Sequence, residues 1–290
     1  MLKKDIYRLQ EKAEQLKQKF KTALQSDTLA EKMKKRWSVV LIVGGIVAFL
    51  GLFAAASMAE SGMSWGWLLP AAAAVAAVVG LVNFLRYDRY DLDNRKLELA
   101  STLLGALAAD TPITESLQLT LDFRDYRKGG SLTGEDKEGG WLGGRVRIYR
   151  YEHAWLDLRG RLADGNTYRI GVVDRVTRKE KPKRKYTKVR ETIRGEVQVQ
   201  LGVKVSRYGD PSRAAALLEE TPPPAPLFRR SVRAGARRLK VVLGSPPSVE
   251  VRGRSQGSKE GEANLVTGEA IIKTMLWVYD GLAQARQGAA

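Results

Sequence analysis

The chain of 290 residues carries 49 Lys and Arg against 32 Asp and Glu, with one His, no Cys and a sequence pI near 10. The absence of Cys excludes disulfides, thiolate nucleophiles and cysteine-ligated zinc. The single histidine, His153, excludes His-rich metal sites and paired-histidine acid–base machinery. The length allows one or two domains.

Residues 1–36 are predicted to form an amphipathic N-terminal helical region. Apolar residues recur at alternating spacings of four and three from Leu2 to Ala23, which predicts a helix over about residues 2–25. Asp27 interrupts the pattern, and Thr28 with Glu31 forms a candidate capping box for the next helix. The apolar stripe fits a coiled-coil seam, a helix lying on lipid, or a face packed on the downstream domain.

Two uncharged blocks, residues 38–57 and 66–85, dominate the hydrophobicity of the chain. Helices of this length span ~30 Å at ~1.5 Å per residue, which matches the hydrocarbon thickness of a bilayer. Trp37, Trp65 and Trp67 flank the blocks, as is typical of water–lipid interfaces. We therefore predict a two-span transmembrane helical hairpin over residues 37–86, with a re-entrant or interfacial hairpin as the alternative.

The flanking charges predict the orientation of this hairpin. Eleven Lys and Arg against five Asp and Glu precede the first block within residues 1–36, and Arg86, Arg89, Arg95 and Lys96 follow the second. The connecting turn has Glu60 and no base. The positive-inside rule then predicts that both termini lie in the cytoplasm and that the turn lies outside. The expected location is that of an integral protein of a bacterial-type inner membrane.

A stripe of small residues in the first block predicts close helix packing in the membrane. Its members follow at spacings of four, three and four: Gly44, Ala48, Gly51 and Ala55. The second block offers Ala72, Ala73, Ala76, Ala77 and Gly80. These faces are expected to pack against each other within the hairpin; contact between protomers of an oligomer is the other interpretation.

Residues 87–111 are predicted to extend the second helix up to the stop at Asp110-Thr111-Pro112.

From residue 112 to 290 the pattern predicts a β-rich cytoplasmic domain, because apolar residues alternate with a period of two in long runs joined by short turns. Residues 129–144 are predicted to be a loop, residues 212–220 a short helix, and the C-terminal residues from Leu265 to Leu282 an amphipathic helix that covers the sheet.

The sharpest local feature is a basic run at the tip of a predicted β-hairpin. Its cations are Arg178, Lys179, Lys181, Lys183, Arg184, Lys185, Lys188 and Arg190. Such a run creates a positive potential that suits anionic lipid or an acidic protein, with nucleic acid ranked below them. The competing interpretation is a solvated tip that keeps edge strands from aggregating. A second basic stretch between Arg229 and Lys240 fits either a helix or strands.

No motif predicts catalysis. His153 is expected on the strand face opposite Leu156 and Leu158, and the chain has no nucleophile elbow, phosphate-binding loop or metalloprotease motif. No catalytic residue, metal site or cofactor is assigned.

The sequence thus predicts an α+β membrane protein: a two-span helical hairpin, a cytoplasmic antiparallel β-rich domain and a packed C-terminal helix. The expected function is that of a non-catalytic scaffold or interaction protein, homo-oligomeric, that presents its basic domain to a protein partner or to the anionic membrane surface. The alternative is a subunit of an oligomeric membrane channel or transport assembly, although neither block contains an ionisable residue.

Overall fold

The structure is a computed structural model that describes residues 3–60, 67–90, 92–128, 131–140, 143–252, 258–260 and 266–287. The chain divides into two compact units, residues 1–4 with 21–94 and residues 5–20 with 95–290. The fold is α+β, with an antiparallel sheet and a C-terminal helix, as the sequence predicts. Each unit is described in turn.

The first unit is built from two long helices. Helix α1 (Ala13–Glu60) is continuous over 48 residues, and α2 (Leu68–Asp88) has 21 residues. Both are long and apolar enough to cross a membrane by length and composition. The predicted connecting turn and Trp65 fall largely within residues 61–66, outside the described residues.

The N-terminal helix prediction is wrong over its first part. Residues Ile6–Lys12 form strand β1 instead, and the helix begins at Ala13. The predicted break at Asp27 is also absent, because α1 continues through it and the Asp27 carboxylate accepts a hydrogen bond from the Leu92 N–H at 2.8 Å. The Thr28 hydroxyl donates to the Gln25 carbonyl at 2.8 Å, as a hydroxyl inside a helix does, rather than capping a new helix.

The predicted extension of the second helix is wrong as well. Helix α2 ends at Asp88, a turn follows at Arg89 and Tyr90, and a separate helix, α3 (Asn94–Ala109), begins after it. The stop before Pro112 is confirmed.

In the second unit, the described residues form one antiparallel sheet of ten strands. Its main order is β1-β2-β4-β5-β6-β8-β7, with β3 beside β4 and with β9 and β10 added beside β6. The strands after β1 are β2 (Ser116–Asp122), β3 (Leu132–Gly140), β4 (Gly143–Arg161), β5 (Thr167–Pro182), β6 (Thr187–Gly202), β7 (Phe228–Gly235), β8 (Arg238–Gly244), β9 (Ser248–Arg252) and β10 (Ser258–Glu260). The period-two runs in the sequence are therefore confirmed as strands.

Strand β3 replaces part of the loop predicted for residues 129–144. It pairs with β4 from Leu132 to Gly140 through the backbone, although its sequence is rich in Gly and acidic residues and has no apolar alternation. Residues 129, 130, 141 and 142 of the predicted loop lie outside the described residues. Because ladder hydrogen bonds come from the main chain, such a strand leaves no period-two signal in the sequence.

The inner face of the sheet carries the core. Alternating residues of the central strands are buried there, among them Leu119, Leu158, Ile170, Val199, Leu239, Val241 and Leu243. This unit contains residues 13–20 of α1, together with α3, α4 (Val205–Tyr208), α5 (Pro211–Glu220) and α6 (Gly268–Gln287). The predicted C-terminal helix is confirmed as α6, whose buried side runs from Ile271 through Val278 to Leu282, whereas Leu265 lies outside the described residues.

The turn between β4 and β5 is tied to α6 by a buried polar network. Gly165 adopts a φ of 88°, as the predicted Asp-Gly turn requires. The Asn166 side chain, which is fully buried, donates to Asp164 Oδ2 at 2.7 Å and to the Tyr279 hydroxyl at 3.0 Å. These bonds fix the C-terminal helix against this end of the sheet.

Candidate functional site

The predicted small-residue stripe packs inside the helical hairpin. A Cβ placed on Gly44 would lie 3.1 Å from the Ala77 backbone nitrogen, and one placed on Gly51 would lie 3.1 Å from Pro70 Cβ. From the other helix, a Cβ on Gly80 would lie 3.0 Å from the Leu41 nitrogen. The helices thus approach too closely for larger side chains at these positions.

The rest of the stripe follows the same face. In α1, Ala55 is buried and Ala48 is half-buried. In α2, Ala73 and Ala77 are half-buried, whereas Ala72 and Ala76 are exposed. All four predicted packing residues of α1 therefore face α2 within one chain.

The outside of the helical hairpin is apolar and uncovered. Phe53 is 62% exposed and Leu68 is 71% exposed, and other large apolar side chains share this surface: Ile42, Ile46, Phe49, Leu50, Leu69, Val75, Val78 and Val82. Only 11% of the most apolar window of each helix is buried. A contiguous apolar surface of this kind marks contact with lipid or with another protein.

Polar contacts of this unit collect at one end of the helical hairpin. The Lys34 ammonium lies 2.7 Å from the Asp88 carboxylate, and the Asn94 side chain donates to Glu31 at 2.7 Å. Within the apolar part, the Asn83 amide donates to the Val79 carbonyl of its own helix at 2.9 Å, so this amide donor is satisfied without a partner helix. The charged and apolar parts of the hairpin are thereby separated along its length.

The basic run predicted at a hairpin tip lies mostly in strands. Strand β5 reaches Pro182 and β6 begins at Thr187, so only residues 183–186 form the turn, closed by the Lys183 N–H donating to the Tyr186 carbonyl at 2.7 Å. We call this part of the molecule the basic end: Lys179, Lys181, Lys183, Arg184, Lys185, Lys188 and Arg190. All of its side chains are exposed.

Arg178 is set apart from the other predicted residues. Its guanidinium lies 2.7 Å from Glu180 and 3.0 Å from Glu191, and its side chain is only 17% exposed. Tyr126 lies beside this group, and burial raises the pKa of its hydroxyl. Arg178 therefore forms its ion pairs within the hairpin of β5 and β6, and its role in binding stays a prediction.

Cations in the basic end face each other directly across the two strands. Lys181 is opposite Lys188, and Lys179 is opposite Arg190. Lys179 has Glu138 at 3.9 Å, but the other cations of the basic end make no ion pair with a carboxylate among the residues that the structure describes. Like charges directly opposite one another destabilise a sheet, so this arrangement lowers the stability of the β5–β6 pair.

A buried polar cluster around His153 was not predicted. His153 is opposite Asp174 and Leu156 is opposite Val172, so both pair with even-numbered residues of β5 and lie on one face. The register shifts between Ala154 and Leu156, which reverses the side-chain alternation along β4. The prediction that His153 faces away from Leu156 is therefore wrong.

Two basic residues of α3 complete this cluster. Arg95 forms an ion pair with Asp174, and the buried Lys96 ammonium donates to the Asp122 carbonyl at 3.0 Å. Both cations lie over the Trp155 ring, at 5.5 and 5.7 Å from its centroid. The sequence contained one signal for this cluster. Lys96 falls at helical spacing on the apolar face of α3, which indicates a lysine that points into the core.

Electrostatics in the cluster favour a neutral histidine and an ionised aspartate. Burial lowers the pKa of His153, and Lys96 lowers it further, against the opposing effects of Asp122 and Asp174. Burial would raise the pKa of Asp122, but hydrogen bonds from the Arg124 side chain and backbone bring it down to about 2. The cluster thus places a neutral imidazole beside an ionised Asp122 carboxylate in the core.

The second basic stretch forms strands β7 and β8 rather than a helix. Arg230 lies 2.9 Å from Glu196, whereas Arg233 stands opposite Lys240.

Within the described ranges, no group of three or more His, Asp or Glu residues is arranged to hold a metal ion. Comparison of the chain with protein-family models, with curated proteins and with solved structures finds no match.

Proposed function

We propose that this protein is a membrane-anchored, non-catalytic interaction protein, whose helical hairpin spans the bilayer and whose basic sheet domain binds an anionic partner in the cytoplasm. The observation that carries the anchor is the uncovered apolar exterior of α1 and α2. The 21 residues of α2 correspond to ~31 Å of helix, which is the thickness of the hydrocarbon core. The backbone hydrogen bonds of both helices are internal, as a lipid environment requires.

The position of polar groups supports the same orientation as the flanking charges. Lys34, Glu31 and Asp88 lie at the end of the hairpin that joins the rest of the chain. The apolar exterior contains no ionisable side chain between Ser38 and Ser57. We therefore place this charged end at the cytoplasmic interface, where Lys and Arg are enriched.

The basic end supplies the binding surface in this proposal. Its facing pairs, Lys181 with Lys188 and Lys179 with Arg190, repel each other, and an anionic surface would relieve that repulsion. Acidic lipid headgroups attract such side chains by ~1 kcal/mol per Lys or Arg near the surface. An acidic face of another protein would act through the same charges.

The anchor is tested by extraction and by labelling. Membranes containing the protein are washed with alkaline carbonate, which should leave it in the pellet, and then with detergent, which should release it. Because the chain has no Cys, a single cysteine at Ser61 or at the exposed Thr187 gives a clean label. A membrane-impermeant thiol reagent added outside intact cells should label Ser61→Cys and spare Thr187→Cys. Release by carbonate would reject the anchor, and the reverse labelling would reject the orientation.

The basic end is tested with the full chain in nanodiscs of neutral lipid. These are mixed with vesicles that contain acidic lipid, and co-flotation is measured as the salt concentration rises. Replacing Lys181, Lys183, Arg184 and Lys185 with Gln should weaken binding by roughly 1 kcal/mol per removed charge. Raising the salt concentration should weaken the wild type as well.

A matched control removes the same charge elsewhere. Lys128, Arg213, Lys273 and Arg286 are exposed and lie outside the basic end, and their replacement with Gln changes the net charge equally. This control should bind vesicles as the wild type does. Equal weakening of both variants would show that only net charge matters, and unchanged binding by the basic-end variant would show that its cations are merely solvated.

A further inference from the structure

The outer face of the sheet holds a second basic feature, far from the basic end. A shallow groove of about 430 Å³ crosses the strands there. We call it the outer groove and define it by Gln118, Arg159, Arg161, Arg169, Gln200 and Arg238, all of which line it. Arg169 and Lys181 are twelve positions apart on β5, which corresponds to ~40 Å of strand. The outer groove and the basic end are therefore separate surfaces.

The outer groove is organised by the register of the strands. One row across the sheet runs from Gln118 to Arg159, Arg169, Gln200 and Lys240, each residue opposite the next. Neighbouring strands are ~4.8 Å apart, so the row presents polar and cationic groups at that interval.

A second row, parallel to the first, gives the groove its floor and its ends. Arg161 is opposite Thr167, Thr167 is opposite Gly202, and Gly202 is opposite Arg238. Thr167 and Gly202, in the middle of this row, are small residues, so the groove is deepest there. The cations at the two ends stand three strand spacings apart, or ~14 Å.

Two arginines of the outer groove are held in place by a shared carboxylate. Asp157 accepts from Arg159 Nη2 at 2.7 Å and from Arg169 Nε at 2.8 Å and Nη2 at 3.0 Å. Burial disfavours the ionised carboxylate, but these hydrogen bonds keep the pKa of Asp157 below its usual value. Both guanidiniums make these contacts through Nε and Nη2, so the Nη1 groups remain available as donors.

The charge balance of the groove is positive after its internal ion pairs are counted. Asp157 offsets one charge of the Arg159 and Arg169 pair, and Glu115 lies 3.3 Å from Arg161. Arg238 makes no ion pair with a carboxylate among the described residues. Arginine forks oriented in advance are suited to phosphate oxygens, which accept two parallel hydrogen bonds.

We propose that the outer groove binds a small anion carrying several phosphate groups, contacted by Arg159, Arg169 and Arg238. The spacing of ~14 Å between the strands that carry Arg161 and Arg238 suits a chain of phosphates or a polyphosphorylated headgroup. Single-stranded nucleic acid fits less well, because its binding grooves offer aromatic rings for base stacking. Among the described residues that line this groove, the one aromatic residue is Tyr168, which is 3% exposed.

The proposal is tested with inorganic triphosphate and the full chain in nanodiscs of neutral lipid. Isothermal titration calorimetry should detect binding by the wild type. Arg169→Gln and Arg238→Gln should each weaken it at least tenfold, since each removes charge-assisted hydrogen bonds. The matched control is Arg175→Gln, which removes one charge from the same strand and the same face, six positions away. It should leave the affinity within twofold of the wild type.

The outcomes separate this site from the basic end and distinguish the source of the phosphates. The variant with Lys181, Lys183, Arg184 and Lys185 replaced by Gln should keep its triphosphate affinity. Displacement of triphosphate from the wild type by vesicles bearing a polyphosphorylated lipid would identify a headgroup as the ligand; displacement by soluble polyphosphates alone would identify a free anion. No binding by the wild type, or equal losses in Arg175→Gln and Arg169→Gln, would overturn the proposal.

Discussion

His153 should control the stability of the sheet domain between pH 5.5 and 7.5. It is the only histidine in the chain, and its side chain is buried among Arg95 and Lys96 of α3, Asp122 of β2 and Asp174 of β5. Its pKa is lowered in the folded protein, first by burial and then by Lys96. The unfolded chain therefore binds a proton at this position at a higher pH than the folded protein does.

The sign and the size of the effect follow from this difference. The stabilising contribution is complete above the unfolded pKa of about 6.5 and is lost as the pH falls. If the folded form takes up no proton, the loss at pH 5.5 is at most about 1.4 kcal/mol, because the unfolded side chain is then about nine-tenths protonated. For a domain of this size, that corresponds to a fall of roughly 3–6 °C in the melting temperature.

The assay compares thermal unfolding at pH 7.5 and pH 5.5, followed by near-ultraviolet circular dichroism on the full chain in nanodiscs. His153→Gln, which stays neutral, should abolish most of the fall, and His153→Asn should do the same if it folds. Asp110 also has a raised pKa, from burial and from Asp164, but its titration is common to all three proteins. An equal fall in the wild type and in both variants would refute the reasoning.

Three other predictions address packing and acid stability. Gly44→Leu should destabilise the helical hairpin by about 1–3 kcal/mol in detergent unfolding, whereas Gly45→Leu, which meets nothing within 4 Å, should not; equal effects would reject the packing. Asp122→Asn should remove an acid-sensitive contribution of about 2 kcal/mol, which the wild type keeps above pH 4 and loses as the pH falls toward 2, as measured by acid denaturation. Leu16→Ala should cost about 2–5 kcal/mol in denaturant unfolding because Leu16 is fully buried, and Leu24→Ala, at a 38% exposed position, should cost under about 1 kcal/mol; similar costs would contradict the burial.

Long uniform patterns in the sequence were sufficient to predict several elements. The apolar blocks gave both long helices, and the alternation from Val197 to Leu201 and from Leu239 to Leu243 gave β6 and β8. The small-residue stripe also predicted the packed face of α1, since Gly44 and Gly51 are positions that α2 approaches closely. These signals are local, because each arises from the periodicity of one element.

Elements that depend on a distant partner were not predictable in the same way. Ile6–Lys12 carries apolar residues that fit a heptad, but it becomes strand β1 because it pairs with β2 more than a hundred residues later, with Leu9 opposite Leu119. The prediction of which face of β4 carries His153 was wrong for a related reason. A single register shift near Trp155 reverses which side chains face the core. No residue type in β4 indicates that shift in the sequence.

The two basic surfaces differ in how their charges are balanced, and under our two binding proposals this difference predicts which kind of ligand each would take. In the basic end, Lys181 and Lys188 face each other on long, exposed side chains, and a broad anionic surface can satisfy them without fixed geometry. In the outer groove, Asp157 restrains Arg159 and Arg169, which reduces the net charge but also reduces the freedom lost on binding. Restraint of this kind favours a discrete ligand over a diffuse surface, because orientation contributes more than charge. Salt should therefore weaken binding at the basic end more steeply than at the outer groove.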